Sequence, residues 1–209
     1  MVPEFSNEPL TDFSQPRQRE AMQVALRTVQ GEFEREWSLL IGGDSVSTDG
    51  WIDSLDPCHK TRRVGRVAKA GRAEAERALN AAWAAYPEWS RWQPAERARV
   101  VLNAAQLMRQ QKHVFSATMV FEAGKTWPEA DADTAEAIDF LEYYAREALR
   151  LHSVDGLTRL GGEDNEMVYR PLGVGIVIPP WNFPLAITAG MTAAAIVCGN
   201  TVLLKPASL

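Results

Sequence analysis

The spacing of hydrophobic residues predicts an α/β chain that is mainly helical as far as residue 151. Between residues 16 and 37, apolar side chains form a thin stripe among charged ones, which is typical of a surface helix. The stripe consists of Met22, Leu26, Val29 and Phe33. The same periodicity predicts three further helices, over residues 72–87, 94–124 and 128–151, and we expect these three to pack together.

Short apolar runs between turn residues predict strands in two regions. Residues 37–46, WSLLIGGDSV, have the pattern of two short strands joined at a Gly-Gly turn. The runs WIDSLDP and RRVGRVAKA predict two more strands on either side of Asp56 and Pro57, so we expect an antiparallel β region on the surface. Further along, the turn-rich segment 154–172 predicts a β-hairpin.

Two apolar runs near the end of the chain predict one βαβ unit of a parallel sheet. They cover residues 174–178 and 201–204, and the segment 185–198 between them is predicted to be helical. Both runs are apolar throughout rather than alternating, which indicates parallel strands that are covered on both faces. Pro184 fits the first turn of the helix, and Gly199 fits its left-handed exit.

Composition and charge narrow the classes of partner. The chain has 209 residues and a net charge of −5, with both signs mixed along the predicted helices, which disfavours a nucleic-acid partner. Its longest apolar run, 185–198, is too short to span a bilayer, and the N-terminus lacks the pattern of a signal peptide. Two cysteines, Cys58 and Cys198, give no disulfide framework. These features predict a cytoplasmic protein without a membrane or nucleic-acid partner.

Polar side chains follow both strands of the predicted βαβ unit. The loop PPWNFP comes directly after the first strand, and Lys205 comes directly after the second. In open α/β sheets, ligands bind beyond the carboxyl ends of the strands. We therefore expect Asn182 and Lys205 to converge on one crevice. The prolines on both sides of Asn182 should stiffen the loop, as a positioned side chain requires.

The motifs PWNFPL and GNTVLLKPAS, in this order, resemble the aldehyde dehydrogenase superfamily. The resemblance implies that the side-chain amide of Asn182 donates to the oxyanion formed when a cysteine thiolate attacks the aldehyde. It implies that Lys205 binds the adenosine ribose of NAD or NADP, and that Phe183 lies beside the carbon chain of a small aldehyde substrate. Other residues implied to bind the cofactor are Ile178, Pro179, Pro180, Trp181, Ala207 and Ser208.

Longer stretches are similar to one branch of that superfamily, the one that oxidises L-glutamate γ-semialdehyde. They are NEPLTDF, FEAGKTWPEADADTAEAIDFLEYYA and YRPLGVGIVIPPWNFPLAI. The resemblance implies a helical and β-hairpin leader followed by an incomplete Rossmann-like parallel sheet of the aldehyde dehydrogenase fold. We expect a helical arm at residues 1–37, the N-terminal part of an aldehyde dehydrogenase domain at 38–209, and the dinucleotide-binding unit at 173–205. It also implies a homo-oligomer for the full-length enzyme, which produces L-glutamate in proline catabolism.

The sequence departs from the family pattern in two places. Many NAD-preferring members have a glutamate three residues after the lysine, where this chain has Ser208. Because serine does not repel a 2′-phosphate, we expect NADP to be accepted beside NAD. The chain also ends at Leu209, before the family's catalytic cysteine and general-base glutamate, so we expect these 209 residues alone to be inactive.

The remaining chemistry-bearing residues have simpler structural interpretations. Cys198 is expected to be a buried core thiol, and Cys58 with His59 to flank a turn, so no metal site is predicted. Lys125 and the acidic run EADADTAEAID are expected to be solvated at the end and on the face of helices. His113 and His152 are expected to be surface or capping groups. Two alternatives stay open: a non-catalytic domain that binds a dinucleotide or a partner chain, and an aldehyde dehydrogenase of another substrate branch.

Overall fold

The computed structural model describes residues 3–153, 158 and 160–207, and it has an α/β architecture. Within this part of the chain, the helices are α1 (Pro16–Gly31), α2 (Arg72–Trp89), α3 (Pro94–Gln110), α4 (Lys112–Ala123), α5 (Trp127–Leu151) and α6 (Ala186–Val197). The strands are β1 (Arg35–Trp37), β2 (Leu39–Ile41), β3 (Asp44–Val46), β4 (Trp51–Leu55), β5 (Arg63–Ala68), β6 (Val174–Val177) and β7 (Thr201–Leu204).

The strands form three small sheets, of which two lie in the N-terminal half. The first has the order β1-β5-β4, with β4 antiparallel to β5. The second is the hairpin of β2 and β3, whose turn residues Gly42 and Gly43 have φ of 63° and 91°. Positive φ at both positions suits a two-residue hairpin turn, so the Gly-Gly prediction is confirmed. The predicted antiparallel pairing is confirmed for β2 with β3 and for β4 with β5, whereas β1, which lies within the predicted first helix, pairs in parallel with β5.

The first helix is shorter than its hydrophobic stripe suggests. α1 ends at Gly31, and Glu34 follows with a φ of 68°, a left-handed conformation that a helix cannot continue through. Residues 35–37 then pair as a strand instead of extending the helix to residue 37. Phe33 still belongs to the same core, because its ring packs edge-on against Phe121 of α4, with 5.0 Å between ring centroids.

The predicted helix over 94–124 is two helices that break at Gln111. Its φ and ψ are −110° and 19°, and its N–H bonds to the carbonyl of Met108 in a tighter turn. The break lets α3 pack on α5 and α6, whereas α4 packs on α1 and α5. No glycine or proline marks this change of partner. Gly124, with a φ of 65°, ends α4 as predicted.

The long helix α5 is the centre of the fold. It begins with a reciprocal cap in which the Thr126 backbone N–H donates to the Glu129 carboxylate (3.0 Å), and hydrogen bonds from Thr126 also lower the pKa of Glu129. Small and branched residues on one face of α5 pack against α3 and α6. The buried residues of this core are Ala98, Val101, Ala105, Ile138, Leu141, Ala145, Ala148, Ala193 and Val197.

The C-terminal βαβ unit has the predicted arrangement. β6 and β7 are parallel, with Val177 opposite Leu204, and Gly199 leaves α6 with a φ of 92°. Arg97 of α3 reaches the end of α6, where its Nε donates to the carbonyl of Val197 at 2.9 Å. The helix begins at Ala186, so Pro184 lies in the preceding turn instead of the first helical turn.

The β-hairpin predicted over 154–172 is absent from residues 160–172, and the residues 154–157 and 159 lie outside the described part of the chain. Glu163 N–H donates to the carbonyl of Leu160 in a turn, but residues 160–172 contain no strand. A two-stranded hairpin without a packed face is marginally stable in water. Nearly all side chains from 160 to 172 are exposed, so this segment has no such face. Among the described residues, no helix is both long and apolar enough to cross a membrane.

Gly190 sets how closely α6 approaches α5. A Cβ at this position would lie 2.8 Å from Cδ2 and 2.9 Å from Cγ of Phe140, whose ring stacks on Tyr144. Gly190→Ala should therefore lower the free energy of unfolding by about 1–3 kcal/mol, because the clash outweighs the gain in helix propensity. Urea unfolding of the 209-residue chain, followed by circular dichroism, measures this difference.

Gly31→Ala is the matched control, because a Cβ at Gly31 would meet nothing within 4 Å. This variant should not lower the stability. Equal stability of the two variants would show that α5 and α6 have room to separate.

Candidate active site

The loop that carries Asn182 leaves the carboxyl end of β6 and enters α6. Trp181, Asn182 and Phe183 are all exposed, and Trp181 retains 62% of its accessible surface. Only Pro179 of this loop is buried. A tryptophan and a phenylalanine that remain exposed beside an amide form a surface suited to a ligand that has apolar and polar parts.

The second strand brings Lys205 to the same edge of the sheet. The parallel ladder continues one step beyond β7, where the Lys205 backbone N–H donates to the carbonyl of Val177 at 3.0 Å. The backbone of Lys205 therefore lies beside the start of the loop at Ile178, and both side chains are exposed. Ala207, two residues on, is half-buried. Ser208 lies outside the described residues.

A buried carboxylate fixes the far end of the loop. Asp133, in the second turn of α5, is fully buried, and its Oδ1 accepts a hydrogen bond from the backbone N–H of Ala186 at 2.7 Å. Ala186 is the first residue of α6, where backbone N–H groups have no partner within the helix. A negative charge there also interacts favourably with the helix dipole. Asp133 thus acts as a cap supplied by another helix.

Lys125 supplies the second donor to Asp133. Its Nζ donates to Oδ2 of Asp133 at 2.7 Å and lies 4.4 Å from the centre of the Phe183 ring. The lysine side chain is only 14% exposed, so the prediction of a solvated lysine was wrong. Gly124 turns the chain at this point, which aims Lys125 at α5 and the loop instead of at solvent.

The acidic run of α5 also differs from its predicted solvated face. Asp131 is 1% exposed, and it accepts hydrogen bonds from the backbone and hydroxyl of Thr11 and from Lys112. The sequence does contain a signal for the burial of Asp133. Asp133 lies four and eight residues before the buried Ala137 and Leu141, so it belongs to the apolar stripe of the helix.

The two cysteines lie in a turn and at a helix end. Cys58 follows the turn at Asp56, whose carboxylate accepts its N–H at 2.8 Å. Cys198 caps the opposite end of α6 from Ala186 and is exposed, so the prediction of a buried thiol was wrong. His152 caps α5 through a 2.7 Å contact between its Nδ1 and the Ala148 carbonyl. In the described ranges, no three histidine, cysteine, aspartate or glutamate side chains cluster as a metal site would require.

His113 is half-buried in the first turn of α4, where burial lowers its pKa below the usual value. Its Nε2 lies 3.3 Å from the side-chain oxygen of Gln18. This contact joins α4 to α1, and both residues are far in sequence from the loop. His113 is therefore a packing residue of the N-terminal helices.

A sequence model of the aldehyde dehydrogenase family matches residues 44–209. The chain belongs to this family. The match confirms the resemblance carried by PWNFPL and GNTVLLKPAS, because both motifs lie inside the matched residues.

Individual members of the family extend the similarity to the whole chain. It is 53% identical over 208 residues to 1-pyrroline-5-carboxylate dehydrogenase of Geobacillus kaustophilus (strain HTA426), which covers 100% of this chain and 40% of that protein. The crystal structure of 1-pyrroline-5-carboxylate dehydrogenase from Thermus with bound NAD has a TM-score of 0.95 at 50% identity, over 99% of this chain and 40% of that one.

A third relative is proline utilization A from Bdellovibrio bacteriovorus. Its structure has a TM-score of 0.92 at 39% identity and covers 99% of this chain and 22% of that one. The chain therefore spans 40% of the length of the curated relatives that it matches. The likeness to these solved structures confirms the predicted α/β class and the aldehyde dehydrogenase fold.

Proposed function

We propose that this chain supplies part of the active site of an enzyme that oxidises L-glutamate γ-semialdehyde to L-glutamate with NAD. The observation that carries the proposal is the exposed Asn182 in a loop fixed at both ends, beyond the carboxyl end of β6. The substrate is inferred from the relatives, which are named 1-pyrroline-5-carboxylate dehydrogenases. That compound is the cyclic form of the semialdehyde.

The amide of Asn182 has a defined task in this reaction. When a cysteine thiolate attacks the aldehyde carbon, the carbonyl oxygen becomes negatively charged and needs a donor. A preorganised amide at that position lowers the barrier by about 3 kcal/mol. The thiolate is expected from another part of the complete enzyme, because Cys198 lies at the far end of α6, roughly 18 Å away for a 12-residue helix.

The residues around the sheet edge fit a dinucleotide. Ile178, Pro180 and Trp181 offer exposed apolar surface, and Lys205 offers an ammonium group for ribose hydroxyls. When bound there, NAD would supply the hydride acceptor that the oxidation of the aldehyde requires. Pro179 and Ala207 would contribute backbone groups to the cofactor, and Phe183 would line the path of the aldehyde's carbon chain.

The organisation and location of the complete enzyme belong to the same proposal. We expect residues 1–37 to act as an arm on a domain that begins at residue 38, and we expect a homo-oligomer. Exposed apolar residues on the N-terminal sheets, such as Trp37 and Leu40, support an oligomer, because such side chains commonly lie in interfaces. The unpaired cysteines support a cytoplasmic location.

The isolated 209-residue chain should not oxidise L-glutamate γ-semialdehyde, because we expect the nucleophilic thiolate to come from another part of the complete enzyme. Formation of NADH is measured with the purified chain. The control is a hybrid enzyme in which residues 1–209 are followed by the part of the Geobacillus kaustophilus relative beyond its matching segment. Turnover by the isolated chain near a typical ~10 s⁻¹ would contradict the proposed source of the thiolate.

In this hybrid enzyme, Asn182→Ala should lower kcat by about 10²–10³-fold and change the affinity for NAD little. The reason is that the amide acts on a charge that develops mainly in the transition state. Steady-state kinetics measure kcat, and fluorescence titration measures NAD binding. Asn103→Ala, at an exposed position of α3, is the control and should leave both unchanged. An Asn182→Ala enzyme with the original kcat, when chemistry limits the rate, would remove Asn182 from this role.

The cofactor preference should depend on Ser208. Ser208→Glu in the hybrid enzyme should lower kcat/KM for NADP relative to NAD by roughly 10²-fold, because the carboxylate would face the 2′-phosphate. Ser208→Gln has a similar shape without the charge and should change the ratio much less. Lys205→Ala should weaken both cofactors, and NADP more. If Ser208→Glu and Ser208→Gln give the same ratio, Ser208 does not face the ribose.

A further inference from the structure

The loop of Asn182 is not held by its own side chains. Trp181, Asn182 and Phe183 are all exposed, so burial in a core does not fix their positions. The start of the loop is attached to the sheet through the Lys205 N–H and the Val177 carbonyl. Its end is attached to α5 through the buried Asp133 and, beside it, Lys125.

We propose that Asp133 and Lys125 are positioning residues for the oxyanion-binding amide of Asn182. The inference rests on the proposed function of Asn182. Asp133 fixes where α6 begins, and Lys125 fixes the ring of Phe183, the residue that follows Asn182. Together they leave Asn182 between two anchored points of the chain.

The chemistry of the two residues suits this role. A carboxylate that accepts from a backbone N–H and an ammonium forms charge-assisted hydrogen bonds, which are shorter and more directional than neutral ones. Both bonds of Asp133 are 2.7 Å long, and its side chain has no exposed surface. Lys125 compensates the buried charge and presents its cationic end to the face of Phe183. Neither residue needs to touch the substrate.

The first experiment measures amide exchange at Ala186 in the 209-residue chain. Asp133→Ala should accelerate exchange at Ala186 by about 10-fold or more, because the N–H loses a charged acceptor. Asp139→Ala is the control. Asp139 lies on the same helix and accepts from the backbone of Glu8 at 2.6 Å, so its loss should leave exchange at Ala186 unchanged. Equal exchange at Ala186 in the wild type and in Asp133→Ala would overturn the proposal.

The second experiment measures kcat in the hybrid enzyme. Lys125→Met should lower kcat by about 10-fold or more, whereas Lys125→Arg, which keeps the charge and its bond to Asp133, should restore most of it. The double variant Lys125→Met/Asn182→Ala should be no slower than Asn182→Ala alone, because the lysine acts through that amide. Additive losses in the double variant would overturn the positioning role. This test changes Lys125, which is 14% exposed, and so it does not require a variant of the fully buried Asp133 to fold.

The two experiments separate this inference from the proposed function. If Asn182→Ala leaves kcat unchanged, the oxyanion role fails, and exchange at Ala186 still decides whether Asp133 holds α6. If Asn182→Ala slows the reaction but Lys125→Met does not, the positioning role fails while the proposed function stands.

Discussion

The structure depends on one buried charge. The carboxylate of Asp133 has no exposed surface, and such a group is stable only when hydrogen-bond donors replace the water that it has lost. Its two donors come from the segment before α5 and from the first residue of α6. Both the start of α6 and the turn between α4 and α5 must therefore contact α5, because neither donor alone satisfies the carboxylate.

The same helix also binds the N-terminal segment. Asp131 accepts from the backbone and hydroxyl of Thr11, and Asp139 accepts from the backbone of Glu8. Glu8 in turn pairs with Arg109 of α3 at 2.6 Å. Asp131 and Asp139 thus bind the N-terminal segment, whereas Asp133 binds Lys125 and the start of α6, and apolar side chains of α5 pack against α3 and α6. α5 joins the N-terminal residues to the candidate active site.

The sequence predicted those elements whose signal is local. Both strands and the helix of the βαβ unit were predicted because apolar runs lie within them, and Gly199 and the prolines lie in the connections between them. The role of Asp133 was missed because its donors lie 8 residues before it and 53 residues after it. The break at Gln111 depends on different packing partners for α3 and α4, which no residue near it indicates. Cys198 looks buried in an apolar helix, but it lies at the helix end and is exposed.

The cap on α6 also limits what the first turn of this helix can bind. In many βαβ units, the first turn of the helix binds phosphate through its N–H groups and positive dipole end. Here Asp133 occupies the Ala186 N–H, and the Phe183 carbonyl occupies that of Ile187. A phosphate at this turn would meet a carboxylate where other folds present open donors. The first turn of α6 is therefore not open to a phosphate, and its N–H groups hold the helix against α5 and the preceding loop instead of an anion.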